Sequence, residues 1–232
     1  SSGGLRWTPD LFEAFRARYG YDLRDQLPAL HEEVGDWKRV RHDYFALLND
    51  MFVDRWAKPW SRYCDEKGIS WTGHYWEHSW PNVTGVIDNM SMAAWQQTPG
   101  IDMLFNQFNE KDVHAQFGNI RSVKEVRSIA NQLGRQRVLS ETYGGAGWEA
   151  TFKDMKRLAD WQMVLGVNLV NQHVGHMSLD GVRKFDYPPM FTRAASWWEN
   201  YHVLNDYIAR ICTVMSLGEQ VNDILVLEPT TT

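Results

Sequence analysis

The sequence predicts an α/β fold: a partial (β/α) barrel of about five parallel strands alternating with helices, preceded by an N-terminal helical segment. Three observations carry this. After Gly68, short apolar runs rich in strand-forming residues alternate with longer stretches of helical periodicity, the rhythm of right-handed βα crossovers. Each run ends in polar or aromatic residues, which a strand buried on both faces has little reason to do unless its tip borders a cleft. The 232 residues suit one core, yet five strands fall short of the closed eight-stranded barrel, which takes about 250 residues.

Taken in order, Thr8 and Pro9 read as the N-cap and first position of a helix over 10–19, with Leu11, Phe12 and Phe15 at helical spacing and Gly20 as its stop. Residues 22–30 form a second short helical piece and 34–38 a loop. A long helix over 40–67 follows, kinked or broken at Pro59 and closed by Gly68. Strand-like runs then cover 69–75, 101–107, 137–142, 167–173 and 223–227. Helices over 86–95, 122–133, 148–165 and 197–217 follow the first four. A single domain over 5–232 accommodates all of this, with residues 1–4 reading as an expression scar.

A net charge of -5, with no run of Lys or Arg able to track phosphates, argues against a nucleic-acid or anionic-membrane partner. No segment approaches the roughly 20 apolar residues of a membrane helix, and no signal-peptide pattern is present, which leaves secretion undecided. The 12 Trp, 10 Phe and 9 Tyr are an unusual load. Aromatic faces stack on sugars, but core filling is the expected role for most of them. Cys64 and Cys212 read as buried free thiols, with one bridge as the alternative.

The stretch from Arg137 to Trp148 (RVLSETYGGAGW) organises the chain. Val138 and Leu139 suit a buried parallel strand, Glu141 stands at its tip, and Gly144, Gly145 and Gly147 allow a sharp turn toward the next helix. The rim of the other strands supplies Thr72, His74, Trp76 and Glu77, then Asn106 and Gln107, then Asn171, Gln172, His173 and His176, and finally Glu228. Two carboxylates facing each other across a cleft are what cleavage of a glycosidic bond needs: one protonates the leaving oxygen, the other activates water or attacks the anomeric carbon. Glu77 and Glu141 form that pair, with Glu228 as the rival for either role. His74, Trp76, Asn106, Tyr143, Trp148, Asn171, His173, His176 and Glu228 are the expected substrate contacts. For Glu141 the competing reading is an exposed loop residue without chemistry. A zinc-type site on His74, His173 and His176 would make a metal-dependent hydrolase, but His173-x-x-His176 lies beyond a strand and no further ligand is fixed. Hydrogen-bonding histidines in a polar pocket fit better.

Several segments together resemble a known family: Leu5-Arg-Trp-Thr-Pro-Asp10, Tyr19-Gly-Tyr-Asp-Leu23, Thr72-Gly-His74 with Glu77, Pro99-Gly-Ile-Asp102, Arg137-Val-Leu-Ser-Glu141, Gly166-Val-Asn168, Gln172-His173, Arg183-Lys-Phe-Asp-Tyr-Pro-Pro189, Trp197-Trp198 and Gly218-Glu-Gln-Val221. The chain is similar, over nearly all of 5–232, to the catalytic region of bacterial glycoside hydrolases of the α-L-rhamnosidase type, family 106. The resemblance implies a (β/α)8 barrel with accessory β-domains, an O-glycoside or oligosaccharide substrate, paired carboxylates at Glu77 and Glu141 and sugar-contacting His74 and His173. It also implies a slight preference for inversion, no organic cofactor and, in some members, a calcium ion near the sugar. The first barrel strands and the accessory domains of that pattern are absent. The chain is therefore expected to be the later part of a catalytic barrel or, alternatively, a non-catalytic sugar-binding derivative. An open sheet also has unpaired edges, so a homodimer is expected unless the 40–67 helix covers the open side.

Overall fold

A computed structural model describes residues 5–75, 77, 87–104 and 113–227, without the side chains of 113–118. Four helical pieces open the chain. Helix α1 (Leu11–Tyr19) is followed by a 3-10 segment (Leu23–Leu30), and α2 (Trp37–Phe52) passes through a π-helical turn (Val53–Ala57) into α3 (Lys58–Lys67). Gly20 and Gly68 end α1 and α3 in the left-handed conformation, as the sequence indicated. The expected break near Pro59 takes a particular form. Proline lacks an N–H, and its ring would strike the carbonyl four residues earlier, that of Arg55. The π turn widens the helix there, and Pro59 enters the first turn of α3, where its missing donor is not needed.

Val40, Tyr44, Leu47, Leu48 and Met51 recur at helical spacing on α2 and close over Leu11 and Phe15 of α1 and Leu23, Ala29 and Leu30 of the 3-10 segment. This is a helical core of its own. Each such side chain, once fully buried, contributes about 1.5–3 kcal/mol, and Tyr44 adds a hydrogen bond from its hydroxyl to the Arg6 carbonyl.

The sheet has three strands, β1 (Gly100–Met103), β2 (Leu139–Thr142) and β3 (Leu169–Gln172), all parallel and in the order β1-β2-β3. Helix α4 (Asn89–Ala93) precedes β1, α5 (Val113–Gln132) and α6 (Phe152–Leu165) run between the strands, and α7 (Tyr201–Ser216) follows β3. A second core forms where Ile101 and Met103 of β1 meet Val123 and Val126 of α5, Met155, Leu158 and Met163 of α6, and Leu204 and Ile208 of α7. The alternation of side chains along each strand leaves Asp102, Glu141 and Asn171 on the opposite face.

The βα rhythm is therefore present, but five strands are not. Among the described residues, 69–75 and 223–227 form no strand. The first of these runs beside β1 without a ladder, because glutamine side chains occupy the bonding positions. Gln97 Oε1 accepts from the Trp71 amide at 3.0 Å, and the buried Gln96 donates to the Gly73 carbonyl at 3.1 Å while accepting from the Gly100 amide at 3.1 Å. Residues 223–227 lie exposed, with Leu225 and Leu227 almost fully so. Aromatic side chains serve the two cores, as expected: among the described residues Phe15, Tyr44 and Tyr143 are fully buried, and Trp37, Trp161 and Trp197 pack half-buried against them. Cys64 and Cys212 are buried free thiols, as read from the sequence.

Candidate functional site

The site grows out of the exposed face of β1 and β2. Glu141 is the third residue of β2, fixed in register between Asp102 of β1 and Asn171 of β3, so the three side chains form a row across the sheet. Neighbouring strands stand about 4.8 Å apart, which makes this row a close polar cluster. What holds β2 in place lies behind it. Ser140 and Thr142, both fully buried, hydrogen-bond to each other at 2.8 Å, and Gln162 of α6 donates to Thr142 Oγ1 at 3.0 Å. Before the strand, the side chain of buried Asn168 accepts from the Val138 amide and donates to the Gln136 carbonyl, both at 2.8 Å.

Glu141 keeps 25% of its side-chain surface exposed and is flanked by two histidines. His74 Nε2 lies 2.9 Å from Oε2. A carboxylate can only accept, so that ring nitrogen carries the proton. His173 Nε2 lies 3.8 Å from Oε1, an ion-pair rather than a hydrogen-bond distance, and its Nδ1 is buried without a hydrogen-bond partner. The His173 ring packs against the turn after β2 because residue 144 is glycine: a Cβ there would come within 3.3 Å of its Cγ and 3.1 Å of Leu104.

Glu77 has a different setting. It is 2% exposed, Oε1 accepts from the Asp102 amide at 2.6 Å, and Oε2 accepts from the Tyr75 amide at 3.2 Å. The carboxylate thereby fills the edge of β1, continuing the pattern in which Trp71 O takes the Thr98 amide and Gln96 takes that of Gly100. Burial pushes the Glu77 carboxyl upward from its ordinary value, opposed by these backbone donors and by His74.

Tyr143 ends β2 in a left-handed conformation and is wholly buried, its ring stacked on Phe191 and its hydroxyl donating to the Met155 carbonyl at 3.0 Å. That places it in the core rather than at the rim. Trp148 is partly exposed, and its Nε1 donates to the Lys184 carbonyl at 2.8 Å. His176 stands 3.9 Å from Asp186, beyond the row of the sheet. Trp76, Asn106 and Glu228 lie outside the described residues.

The amino-acid sequence matches the family model for alpha-L-rhamnosidase, glycoside hydrolase family 106, over residues 1–229. The chain belongs to that family. A structural relative is the rhamnosidase of Novosphingobium sp. PP1Y, at 26% identity and a TM-score of 0.67, the match covering 92% of this chain and 21% of that one. A protein of Formosa agariphila named "Putative beta-glucuronidase" is 25% identical over 234 residues, 97% of this chain and 19% of its own length. The chain thus spans about a fifth of either relative.

In this family 106 chain one acidic residue escaped the sequence reading. Asp102 lies near the start of the expected 101–107 run, away from its tip, whereas β1 ends at Met103 and puts Asp102 beside Glu141. Its Oδ1 is buried without a hydrogen-bond partner. Burial raises its carboxyl above the ordinary value; the charges of His74 and His173 oppose the rise and that of Glu141 adds to it. The alternation of side chains could have flagged it, since Asp102 faces away from Ile101 and Met103. Among the described residues, no group of three or more His, Cys, Asp or Glu is arranged to hold a metal ion. The His74, His173 and His176 set therefore gives no metal centre.

Proposed function

We propose that the face carrying Glu141 binds a glycoside and contributes to hydrolysis of its O-glycosidic bond, with an α-L-rhamnoside as the first substrate to test. The observation that carries this is the accessible Glu141 carboxylate held between His74 and His173 on a polar row of the sheet, in a chain of this family. Glu141 is suited to take a proton from water or to attack the anomeric carbon. His74 orients it, and Asn171 and His173 are positioned to meet sugar hydroxyls.

In the paired-glutamate form of this proposal, Glu77 supplies the second carboxyl, and its raised pKa suits an acid. A second form is favoured by the engagement of both Glu77 oxygens with backbone amides: Glu77 secures β1, and the proton comes from another carboxyl. Because the chain is a fraction of its relatives' length, turnover by this chain alone is part of the proposal. The test is hydrolysis of aryl α-L-rhamnosides, with aryl β-glucuronides alongside in view of the Formosa relative's name. Glu141→Gln is expected to reduce kcat by at least about 100-fold while leaving the thermal midpoint within a few degrees. A Glu141→Gln protein that turns over at the wild-type rate would remove Glu141 from the reaction.

A further inference from the structure

Three large aromatic side chains serve neither core. Trp56, Trp60 and Tyr63 stand at i, i+4 and i+7 along the π turn and α3, so one face of the helix carries all three. The inward positions of the same turns are Ala57, Ser61 and Cys64, which are buried. The rings beside them stay 51%, 41% and 46% exposed, although side chains of this size ordinarily lose most of their surface on folding. They are also ordered against one another. Trp56 and Trp60 lie 5.8 Å apart between centroids and 8° from parallel, and Trp60 and Tyr63 lie 5.7 Å apart and 19° from parallel. Parallel rings in contact have planes about 3.5–4 Å apart, so centroids at these distances mean a slip of about 4–4.6 Å from one ring to the next. Each ring thus leaves part of its face uncovered, and the row descends along the helix like a flight of steps.

The size and the rim of the row point to its occupant. Three such side chains at about half exposure present roughly 300 Å² of surface. A stable protein interface takes about 800 Å² from each partner, so the row is too small to hold a second copy or another protein by itself. Its borders carry exposed Arg62, Glu66 and Lys67, charges of both signs that favour neither an anionic membrane nor a polyanion. A convex strip of ring faces, with hydrogen-bonding groups along its edges, suits a ligand that lies flat and is apolar on its faces and polar at its rim. A pyranose chain has that form: its C–H faces stack on aromatic rings, and its hydroxyls reach the indole N–H groups, the Tyr63 hydroxyl and the charged border. We propose that Trp56, Trp60 and Tyr63 form a surface site for an oligosaccharide chain, on α3 and its π turn rather than on the sheet. The site holds a polymeric saccharide and takes no part in breaking its bonds. The choice of a saccharide as ligand rests on the glycoside reading above, whereas the site itself does not require turnover.

The test reads binding and hydrolysis separately. Affinity gel electrophoresis of the 232-residue chain is run through rhamnogalacturonan, arabinogalactan, xylan and mixed-linkage β-glucan, against a gel without polysaccharide. Retardation by at least one of them is expected, and none in any gel overturns the inference. For a retarding polysaccharide, Trp56→Ala and Trp60→Ala should each weaken binding about 10-fold, and Trp60→Tyr, which keeps a ring, should retain most of it. Trp7→Ala, at an exposed tryptophan outside the row, should change nothing. Thermal midpoints show that each variant is folded. Glu141→Gln should bind like wild type, and the Trp56 and Trp60 variants should hydrolyse an aryl α-L-rhamnoside at the wild-type rate. Retardation lost in those two variants alone, in a chain inert to every glycoside, refutes turnover and upholds the site. Hydrolysis accompanied by retardation indifferent to Trp56→Ala and Trp60→Ala overturns the site and leaves the glycosidase reading standing. Retardation that disappears in Glu141→Gln but persists in the tryptophan variants places the saccharide at the sheet and overturns the site as well. A dimer in sedimentation that Trp60→Ala dissolves, without retardation in any gel, assigns the row to a second copy instead.

Discussion

Replacing Asn168 with alanine should cost more stability than its position just before β3 suggests. The side chain is fully buried and bonds β2's approach at two points, accepting from the Val138 amide and donating to the Gln136 carbonyl, each at 2.8 Å. Val138 is itself fully buried, so its N–H would be stranded, at about 1–3 kcal/mol. Gln136 is exposed and its carbonyl can turn to water, adding about 0–1 kcal/mol. With the packing lost on truncation, about 2–4 kcal/mol is expected for Asn168→Ala. Urea unfolding followed by tryptophan fluorescence measures it, with Asn171→Ala on the exposed face of β3 as the reference, expected within about 0.5 kcal/mol of wild type. An Asn168→Ala loss below about 1 kcal/mol, or no larger than that of Asn171→Ala, would show that the side-chain bonds do not hold β2 in place.

Gly166→Ala should destabilise by about 1–3 kcal/mol in the same assay, because φ is +126° there and a Cβ would lie 2.5 Å from Arg127 Cγ. A neutral result would mean that the Arg127 stem moves freely. Asp10 and Glu77 should bend the pH–stability curve in opposite senses. The Arg55 guanidinium holds the Asp10 carboxyl at about 2, below its unfolded value, so its contribution is present above that unfolded value and is lost as pH falls toward 2. Asp10→Asn should flatten the acid limb of midpoint against pH, by a small amount because the pair is exposed. Glu77 is displaced upward by burial, so the folded chain binds the extra proton and stability declines as pH rises past the ordinary carboxylate range. Glu77→Gln should remove that decline, and an unchanged slope would contradict the assignment.

The parts of the fold legible in the sequence were those with local causes. Gly20 and Gly68 as helix stops, the periodic apolar face of α2, and the positions of β2 and β3 all follow from neighbouring residues. The two strands that did not form fail for reasons at a distance. Residues 69–75 have strand-like composition, yet their bonding partners are the side-chain amides of Gln96 and Gln97, which no periodicity encodes. Residues 223–227 have the composition but no neighbour to pair with among the described residues. At the candidate site, Glu141 is legible as a candidate because it sits at a strand tip before a glycine turn. The place of Asp102 beside it is not legible, because being opposite Glu141 is a property of two strands together. Tyr143 was misplaced for a related reason, since its left-handed backbone turns the ring back into the core.

The side-chain seal along β1 also sets two clocks within one strand. The amides of Gly100 and Asp102 are held by the side-chain oxygen of Gln96 and the Glu77 carboxylate, whereas the other side of the strand is held by the ladder to β2. A side chain releases its hydrogen bond by a rotamer change, while a ladder bond opens only when the strands separate. Solvent deuterium should therefore enter β1 at alternating residues on different timescales. The faster set includes the amide of Asp102, so a small excursion of Glu77 can loosen the backbone beneath the polar row while β2 and Glu141 stay in place.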